Sequence, residues 1–444
     1  MKRIVALGGG ESGVGAAVLA KVKGFDTFLS DNGSIPAKGK ALLEKYGIPY
    51  EEGHHTPEKI LSADEIIKSP GIPDTAPLVS EALKAGIPVI SEIEFAGRYD
   101  RAKKICITGS NGKTTTTSLI YYMLRNAGLN VGLGGNIGKS YAYQVATEDF
   151  DIYVLELSSF QLDGMYDFKA DIAIILNITP DHLDRYDHKM QNYVRAKFRI
   201  TRNMSEKDCF IFCDDDSVTV GHINEIVLRA KMLPFSEKHE VAEGAFADDK
   251  KITVRYEGEE WSVPTEELSL KGKHNIYNSM AAAITGKIMN ITNDIIRRSL
   301  ATFENIEHRL EKVMSVRGVL YINDSKATNV NSTWYALECM NRPVIWIAGG
   351  TDKGNDYSEI EPLVREKVKA LICMGKDNRK LHDFFGHIVS TITDASSARE
   401  AVQKAYGLAE DGDVVLLSPC CASFDLFKNY EDRGRQFKAA VREL

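Results

Sequence analysis

Ile105-Cys106-Ile107-Thr108-Gly109-Ser110-Asn111-Gly112-Lys113-Thr114-Thr115 is an apolar run, a tight Gly-rich loop and a Lys-Thr pair that opens a helical stretch. Strand, loop and helix in that order form a phosphate cradle. Loop amides and the positive end of the helix surround a polyphosphate, the Lys ammonium adds charge, and the Thr hydroxyl is a ligand for Mg²⁺. The stretch therefore points to a nucleoside triphosphate. It departs from the strict eight-residue pattern, because Ile107 stands where a first Gly is expected and the glycines lie closer together.

Two apolar runs follow, Ile152 to Leu157 and Ile172 to Leu176, and both read as buried parallel strands. Each ends in polar residues: Glu156, Ser158, Ser159 and Gln161 at the first, Asn177, Thr179, Asp181, His182 and Asp184 at the second. Ligands of doubly wound sheets sit at the carboxyl ends of strands, so the loop and both clusters are expected to face one crevice.

Upstream, the strand Ile4 to Leu7 leads into Gly8-Gly9-Gly10-Glu11-Ser12-Gly13, an Ala-rich helical stretch to about Lys23, and a second strand, Phe25 to Ser30, ending at Asp31. This is the opening of a dinucleotide-binding fold, with Asp31 spaced to touch a ribose hydroxyl. Glu65 to Lys68, before Ser69-Pro70-Gly71, and Val89-Ile90 complete a small α/β domain. Downstream, after helical stretches at Ile276 to Met289 and Asp294 to Phe303, strands at Val319 to Ile322, Val344 to Ala348, Ala370 to Met374 and Val414 to Leu417 alternate with helices. No repeat of 20 to 50 residues relates these blocks. The expected architecture is α/β in three domains, 1–97, 98–303 and 304–444, since 444 residues exceed one core at about 150 residues per domain.

The net charge of −7 argues against nucleic acid as a partner, so an anionic substrate must meet locally placed cations. No run of about 18 apolar residues is present to span a bilayer, and the apolar start after Met1 is too short for a signal peptide. Seven cysteines, an odd number at scattered positions, do not make a disulfide framework, which suggests a reducing cytoplasm. Cys209 and Cys213 stand near Asp214, Asp215 and Asp216, but no second ligand pair follows to complete a zinc site.

Glu156 lies in an otherwise apolar strand, where it either ligates Mg²⁺ beside the phosphate loop or reaches solvent at the strand end. His182 either packs and hydrogen-bonds or ligates metal. Lys197 falls on the apolar stripe of Met190, Tyr193, Val194 and Phe198 in a helical stretch Lys189 to Thr201. Its stem either snorkels to solvent or its amine faces the crevice, where a carbamate formed with CO₂ would supply negative charge to Mg²⁺. In the third block Asn323-Asp324-Ser325-Lys326-Ala327-Thr328-Asn329 and Gly349-Gly350-Thr351-Asp352-Lys353-Gly354 each follow a strand. Lys326 and Lys353 are there either as solvated turn lysines or as ligands for carboxylate or phosphate. A third strand end carries Ser418-Pro419-Cys420-Cys421-Ala422-Ser423-Phe424.

Gly109 to Thr115, Glu156-Leu157-Ser158-Ser159-Phe160-Gln161-Leu162, His182, Lys197, His274-Asn275 with Asn278, and His308-Arg309 resemble, in order across all three blocks, the ATP-dependent Mur ligases of peptidoglycan synthesis. The resemblance implies an N-terminal Rossmann-like UDP-binding domain, a central P-loop ATPase-like domain and a C-terminal Rossmann-like domain. It implies amide formation through an acyl phosphate, with UDP-N-acetylmuramoyl-L-alanine and D-glutamate as substrates, ATP and two Mg²⁺ ions as cofactors, and a cytoplasmic monomer that neither binds nucleic acid nor enters a membrane.

By resemblance, Gly109, Ser110, Asn111, Gly112, Lys113, Thr114 and Thr115 hold the ATP phosphates, and Asn275, Asn278, Arg309, Asp324 and Lys326 grip the rest of the nucleotide. Thr114, Glu156, His182 and carbamylated Lys197 hold the metal, with Lys113, Glu156, His182 and Lys197 as the catalytic set. Ser12, Gly13, Asp31, Asn32, Ser69, Pro70 and Gly71 cradle UDP, which reassigns the Gly-rich opening from a dinucleotide to a uridine diphosphate. Asn136, Ser158, Ser159 and Gln161 contact the muramoyl-peptide portion. Thr328, Lys353, Ser423, Phe424 and Tyr430 receive D-glutamate. Two residues depart from the family pattern: Cys420 where Ala is more frequent, and a turn at Asn32-Gly33-Ser34 that lacks a basic residue near the uracil.

Overall fold

A computed structural model describes residues 1–181, 183–304, 307–352 and 354–444, and the side chains of all of these except Asp184 and Asn331. The described chain forms three sheets and divides into two compact units, Met1–Ser269 with Asn275–Phe303, and Leu270–His274 with Glu304–Leu444.

The first unit holds two sheets. One consists of β1 (Arg3–Leu7), β2 (Asp26–Asp31), β3 (Tyr50–Glu52), β4 (Glu65–Lys68) and β5 (Val89–Ser91), all parallel, in the order β3-β2-β1-β4-β5. Strand order reverses between β1 and β4, and a doubly wound sheet opens its ligand crevice at such a point. The loops Gly8–Gly13 and Ser69–Gly71 meet there.

The other sheet contains β6 (Lys103–Thr108), β7 (Val131–Gly135), β8 (Ile152–Glu156), β9 (Ile172–Ile175), β10 (Cys209–Cys213), β11 (Lys231–Ser236), β12 (Gly244–Ala247), β13 (Lys251–Tyr256) and β14 (Glu259–Pro264). Its order is β14-β13-β12-β11-β10-β9-β6-β8-β7, parallel from β7 to β12, so β6 lies between β8 and β9 and all three polar strand ends share one rim. The antiparallel extension β12 to β14 was not anticipated. Its last hairpin turns on Glu257-Gly258 with φ of 51° and 80°, the left-handed pair that a two-residue hairpin requires. Cys209 and Cys213 are the two ends of β10. At about 3.3 Å per residue they stand about 13 Å apart and cannot share an ion.

Two carboxylates weld these sheets into one unit. Glu92 is fully buried and accepts from Ser140 Oγ and from Ala142 N at 2.9 Å; burial raises its pKa, against hydrogen bonds that include the Ser12 hydroxyl. Glu94 Oε2 accepts the backbone N–H of Tyr166, Asp167 and Phe168 at 2.9 to 3.1 Å. The apolar core is likewise continuous, running from Ile4, Leu19 and Phe95 to Cys106, Tyr153 and Ile175.

The second unit holds β15 (Glu311–Val316), β16 (Val319–Asn323), β17 (Val344–Ala348), β18 (Val368–Met374), β19 (Ile392–Ala395) and β20 (Val414–Leu417), ordered β15-β16-β20-β17-β18-β19. Only the pair β15 and β16 is antiparallel, closed by a second left-handed turn at Arg317-Gly318. With helices on both faces, the sheet separates one core around Trp346 and Phe385 from another around Ile345 and Phe437. The ends of β16, β20 and β17 are adjacent.

Candidate active site

In the central sheet the phosphate loop leaves β6 at Gly109 and enters the helix Lys113–Asn126 through Gly112, with φ of 81°. A Cβ at Gly112 would stand 2.4 Å from Asn278 Oδ1, so this position excludes a side chain on two grounds. The helix start has no side-chain cap. Neighbouring strand ends hold the loop in shape: Asn177 Oδ1 accepts from Asn111 N at 2.9 Å, and Ser110 Oγ donates to Thr179 O at 2.8 Å. Thr114 and Thr115 are buried. Thr116 Oγ1 donates to Asn278 Oδ1 at 3.1 Å, and Asn278 Nδ2 donates to Asn275 Oδ1 at 3.1 Å, which ties the helix carrying Asn275 and Asn278 to the helix that the phosphate loop opens.

Two ammonium groups converge on one carbonyl. Lys113 Nζ donates to Gly109 O at 2.7 Å and Ser110 O at 2.8 Å, while Lys197 Nζ donates to Gly109 O at 2.8 Å. Lys197, in the helix Met190–Phe198, is 1% exposed with its amine 4.6 Å from the centre of the Tyr193 ring, so it does not snorkel. Burial holds its pKa well below the usual lysine range, the neighbouring Lys113 charge pushes the same way, and Asp181 and Glu156 oppose both. Burying an ammonium costs several kcal/mol unless a counter-charge offsets it.

Glu156, at the end of β8, is also 1% exposed and does not reach solvent. Its Oε1 accepts from Asn136 Nδ2 at 2.8 Å, and its Oε2 is buried with no hydrogen-bond partner. A buried, unpartnered carboxylate oxygen is a ready ligand for a hard cation, and the hydroxyl of Thr114 is of the same donor class. Ser158 and Gln161 form a capping box on the helix Ser159–Asp163, so their polar groups are partly engaged within the chain. Ser159 is buried. His182 lies outside the described residues.

At the first crevice the Asp31 carboxylate accepts from Gly9 N through Oδ2 and from Gly33 N at 2.6 Å through Oδ1. Both oxygens thus shape the loops at the strand end where the ligand contact of Asp31 is expected. Ser69 Oγ is buried without a partner beside Gly8 and Gly13, while Ser12 is half-buried and Asn32 exposed. Sequence reasoning missed Arg185. Its guanidinium stacks 4.4 Å over the Phe160 ring and donates to Gly71 O at 3.3 Å and Pro70 O at 3.5 Å, which links the loop after β4 to the central sheet. Nothing in the local sequence distinguishes it from a solvated arginine.

In the second unit Asp324 accepts from Leu310 N at 3.2 Å and from Ser418 Oγ at 2.9 Å; burial lifts its pKa to about 7, against the nearby Arg309 charge. Arg309 Nε is buried and lacks a hydrogen-bond partner. The Lys326 amine lies 5.6 Å over the Tyr430 ring, Thr328 is half-buried, Ser423 is buried, and Phe424 is 74% exposed. Asp324, Lys326 and Thr328 follow β16, and Ser423 and Phe424 follow the adjacent β20, as expected, whereas Arg309 precedes β15 and Tyr430 opens the last helix. Lys353 lies outside the described residues. Cys420 is buried and holds a φ of 61°, a left-handed conformation uncommon for a residue with a side chain.

Comparison with known proteins bears on these three clusters together. The chain matches family models described as Mur ligase MurD-like N-terminal domain over residues 2–91, Mur ligase middle domain over 107–286, and Mur ligase glutamate ligase domain over 308–421. It is 59% identical to the UDP-N-acetylmuramoylalanine–D-glutamate ligase of Bacteroides fragilis over 100% of both chains. To the protein of the same name from Porphyromonas gingivalis it is 57% identical, over 99% of this chain and 98% of the other. Among solved structures, MurC from Thermotoga maritima superposes with a TM-score of 0.63 at 18% identity, covering 100% of this chain and 99% of that one. A pseudomurein peptide ligase type C from Methanothermus fervidus gives 0.62 at 22% identity over 100% of both chains.

Proposed function

The chain belongs to the Mur ligase family, and from that membership we propose that it joins D-glutamate to UDP-N-acetylmuramoyl-L-alanine, converting ATP to ADP and phosphate, in the synthesis of peptidoglycan precursors. The observation that carries this reading is the rim of the central sheet. There Lys113 and Lys197 converge on Gly109 O beside a buried Glu156 whose Oε2 has no partner.

The substrate carboxylate attacks the γ-phosphorus of ATP, breaking the bond to the β-phosphate oxygen and giving an acyl phosphate and ADP. The amine of D-glutamate then adds to the acyl carbon, phosphate leaves, and the nitrogen loses a proton to complete the amide. Both reactants of the first step are anions, so the main demand on the protein is charge placement and alignment. Lys113 and the uncapped start of the helix Lys113–Asn126 stabilise the transferring phosphate.

Glu156 and Thr114 fit Mg²⁺, which when bound supplies charge neutralisation between the phosphates and the attacking carboxylate. His182 completes the proposed metal set. We assign Lys197 as a carbamate: it has a like-charged neighbour on the same carbonyl, and conversion to an anion removes that repulsion while adding an oxygen donor.

Residues 1–97 take the UDP portion through Ser12, Gly13, Ser69, Pro70 and Gly71, with Asp31 shaping the loops. Residues 98–303 take ATP, assisted by Asn275 and Asn278. Residues 304–444 take D-glutamate through Thr328, Lys353, Ser423, Phe424 and Tyr430, with Arg309, Asp324 and Lys326 directed to the nucleotide. The seven cysteines are free thiols, and no described helix is long and apolar enough to cross a membrane; both fit a cytoplasmic reaction.

An ADP-release assay across UDP-muramoyl precursors and a panel of L- and D-amino acids tests the reading. ADP release that requires UDP-N-acetylmuramoyl-L-alanine and D-glutamate together is the expected result. Equal release with L-glutamate, or with neither substrate present, contradicts it.

A further inference from the structure

Arg433, in the helix Tyr430–Arg442, is 1% exposed, and among the described residues no carboxylate forms an ion pair with it. Its guanidinium instead donates to backbone and hydroxyl oxygens. Nε reaches Ser325 Oγ at 3.0 Å, Nη2 reaches Ser325 O at 2.9 Å and Cys421 O at 3.2 Å, and Nη1 reaches Cys421 O at 3.2 Å and Gly349 O at 3.4 Å. Those acceptors belong to the loops that leave β16, β20 and β17. Ser325 Oγ in turn donates to Tyr430 O at 2.8 Å, so the first loop is tied twice to the start of the same helix.

A buried cation without a carboxylate ion pair is an expensive way to fill a core, and the return is the set of buried oxygens on three loops that it satisfies at once. What only Arg supplies is a planar fork of five N–H donors with fixed directions. The neighbouring residue fits the same purpose: a Cβ at Gly434 would stand 2.1 Å from His308 Nδ1, so the helix is pressed against the chain that leads to Arg309.

We infer that Arg433 is a positioning residue for the amino-acid site, setting the mutual spacing of three strand-end loops, of which that after β16 carries Thr328 and that after β20 carries Ser423 and Phe424. This inference rests on the ligase reading for its substrate. Arg433 touches no reacting atom; it acts through the carbonyls of Ser325, Gly349 and Cys421.

The test uses the full chain as Arg433→Lys, which keeps charge without the fork, and Arg433→Met, which keeps volume without either. At saturating ATP both variants are expected to raise KM for D-glutamate about tenfold or more, with kcat changing less and KM for the UDP substrate within about twofold. Hydrogen exchange is expected to speed up in peptides covering 349–352 and 418–424 while strands β17 and β20 keep their protection. Arg433→Met is expected to melt below the parent, because the carbonyls of Ser325, Gly349 and Cys421 lose their donors; a purely structural role would lower the melting temperature without moving the D-glutamate KM. A folded Arg433→Met with unchanged D-glutamate KM and unchanged loop exchange overturns the inference. If the parent enzyme releases no ADP with D-glutamate, the substrate reading fails instead, and the exchange data alone decide whether Arg433 orders the loops.

Discussion

The loops after β1 and β6 each leave the strand through a glycine at positive φ and each open a helix with no side-chain cap, yet a carboxylate serves the first and two ammonium groups the second. At the first, Asp31 takes two backbone amides, and Ser69 Oγ is a buried hydroxyl without a partner. At the second, Lys113 and Lys197 meet at Gly109 O beside Glu156. A Gly-rich turn therefore specifies a backbone path, and the charge of the ligand is decided by side chains from other strands. The hydroxyl-bearing crevice, whose carboxylate is engaged by backbone amides, suits the nucleoside diphosphate end of a large substrate. The cationic crevice suits the place where a triphosphate meets a carboxylate.

The largest way to break this contrast is to remove charge from the second loop. Lys113→Ala is expected to lower kcat by about a hundredfold to a thousandfold, the loss typical of one transition-state donor, while calorimetry finds UDP-substrate affinity unchanged; equal loss of both would mean that the crevices are not separate. Lys197→Ala is expected to be inactive and to regain part of its turnover when short-chain carboxylic acids are added. Full activity without them sinks the carbamate assignment.

The reciprocal experiment attacks the first loop. A Cβ at Gly13 would stand 1.8 Å from Gly8 O, so Gly13→Ala must displace backbone. UDP-substrate affinity is expected to fall about tenfold or more while KM for ATP stays within about twofold; a matching rise in the ATP constant would count against the division. The smallest effect belongs to Asp31→Asn, which keeps one acceptor oxygen for the two amides. A loss of about 1 kcal/mol in UDP-substrate binding is expected by calorimetry, and a loss as large as that of Gly13→Ala would show that Asp31 touches the ligand directly.

Much of this was legible from residue order. Buried parallel strands announce themselves as short apolar runs, so Ile4–Leu7, Ile152–Leu157 and Val414–Leu417 were placed with their polar ends, and those ends carry the candidate site. The hairpins at Glu257-Gly258 and Arg317-Gly318 were not seen, although Ile252, Val254 and Tyr256 alternate with polar residues along β13, because the turns use neither Asn nor Asp. Asp31 was placed at the right strand end, but its amide partners were not foreseen: spacing along the chain does not say which amides a carboxylate will find. Arg433 and Arg185 were invisible because their acceptors are backbone carbonyls remote in sequence, fixed only when helix and sheet pack.

The proposed chemistry makes the substrate carboxylate the nucleophile toward ATP, and oxygen labelling tests that most directly. With ¹⁸O in both oxygens of the alanyl carboxylate, the account predicts that each turnover with D-glutamate carries one labelled oxygen into inorganic phosphate and leaves one in the new amide. Phosphate released without label, from an enzyme that has made the amide, would contradict the acyl-phosphate route and with it the role given to the phosphate loop.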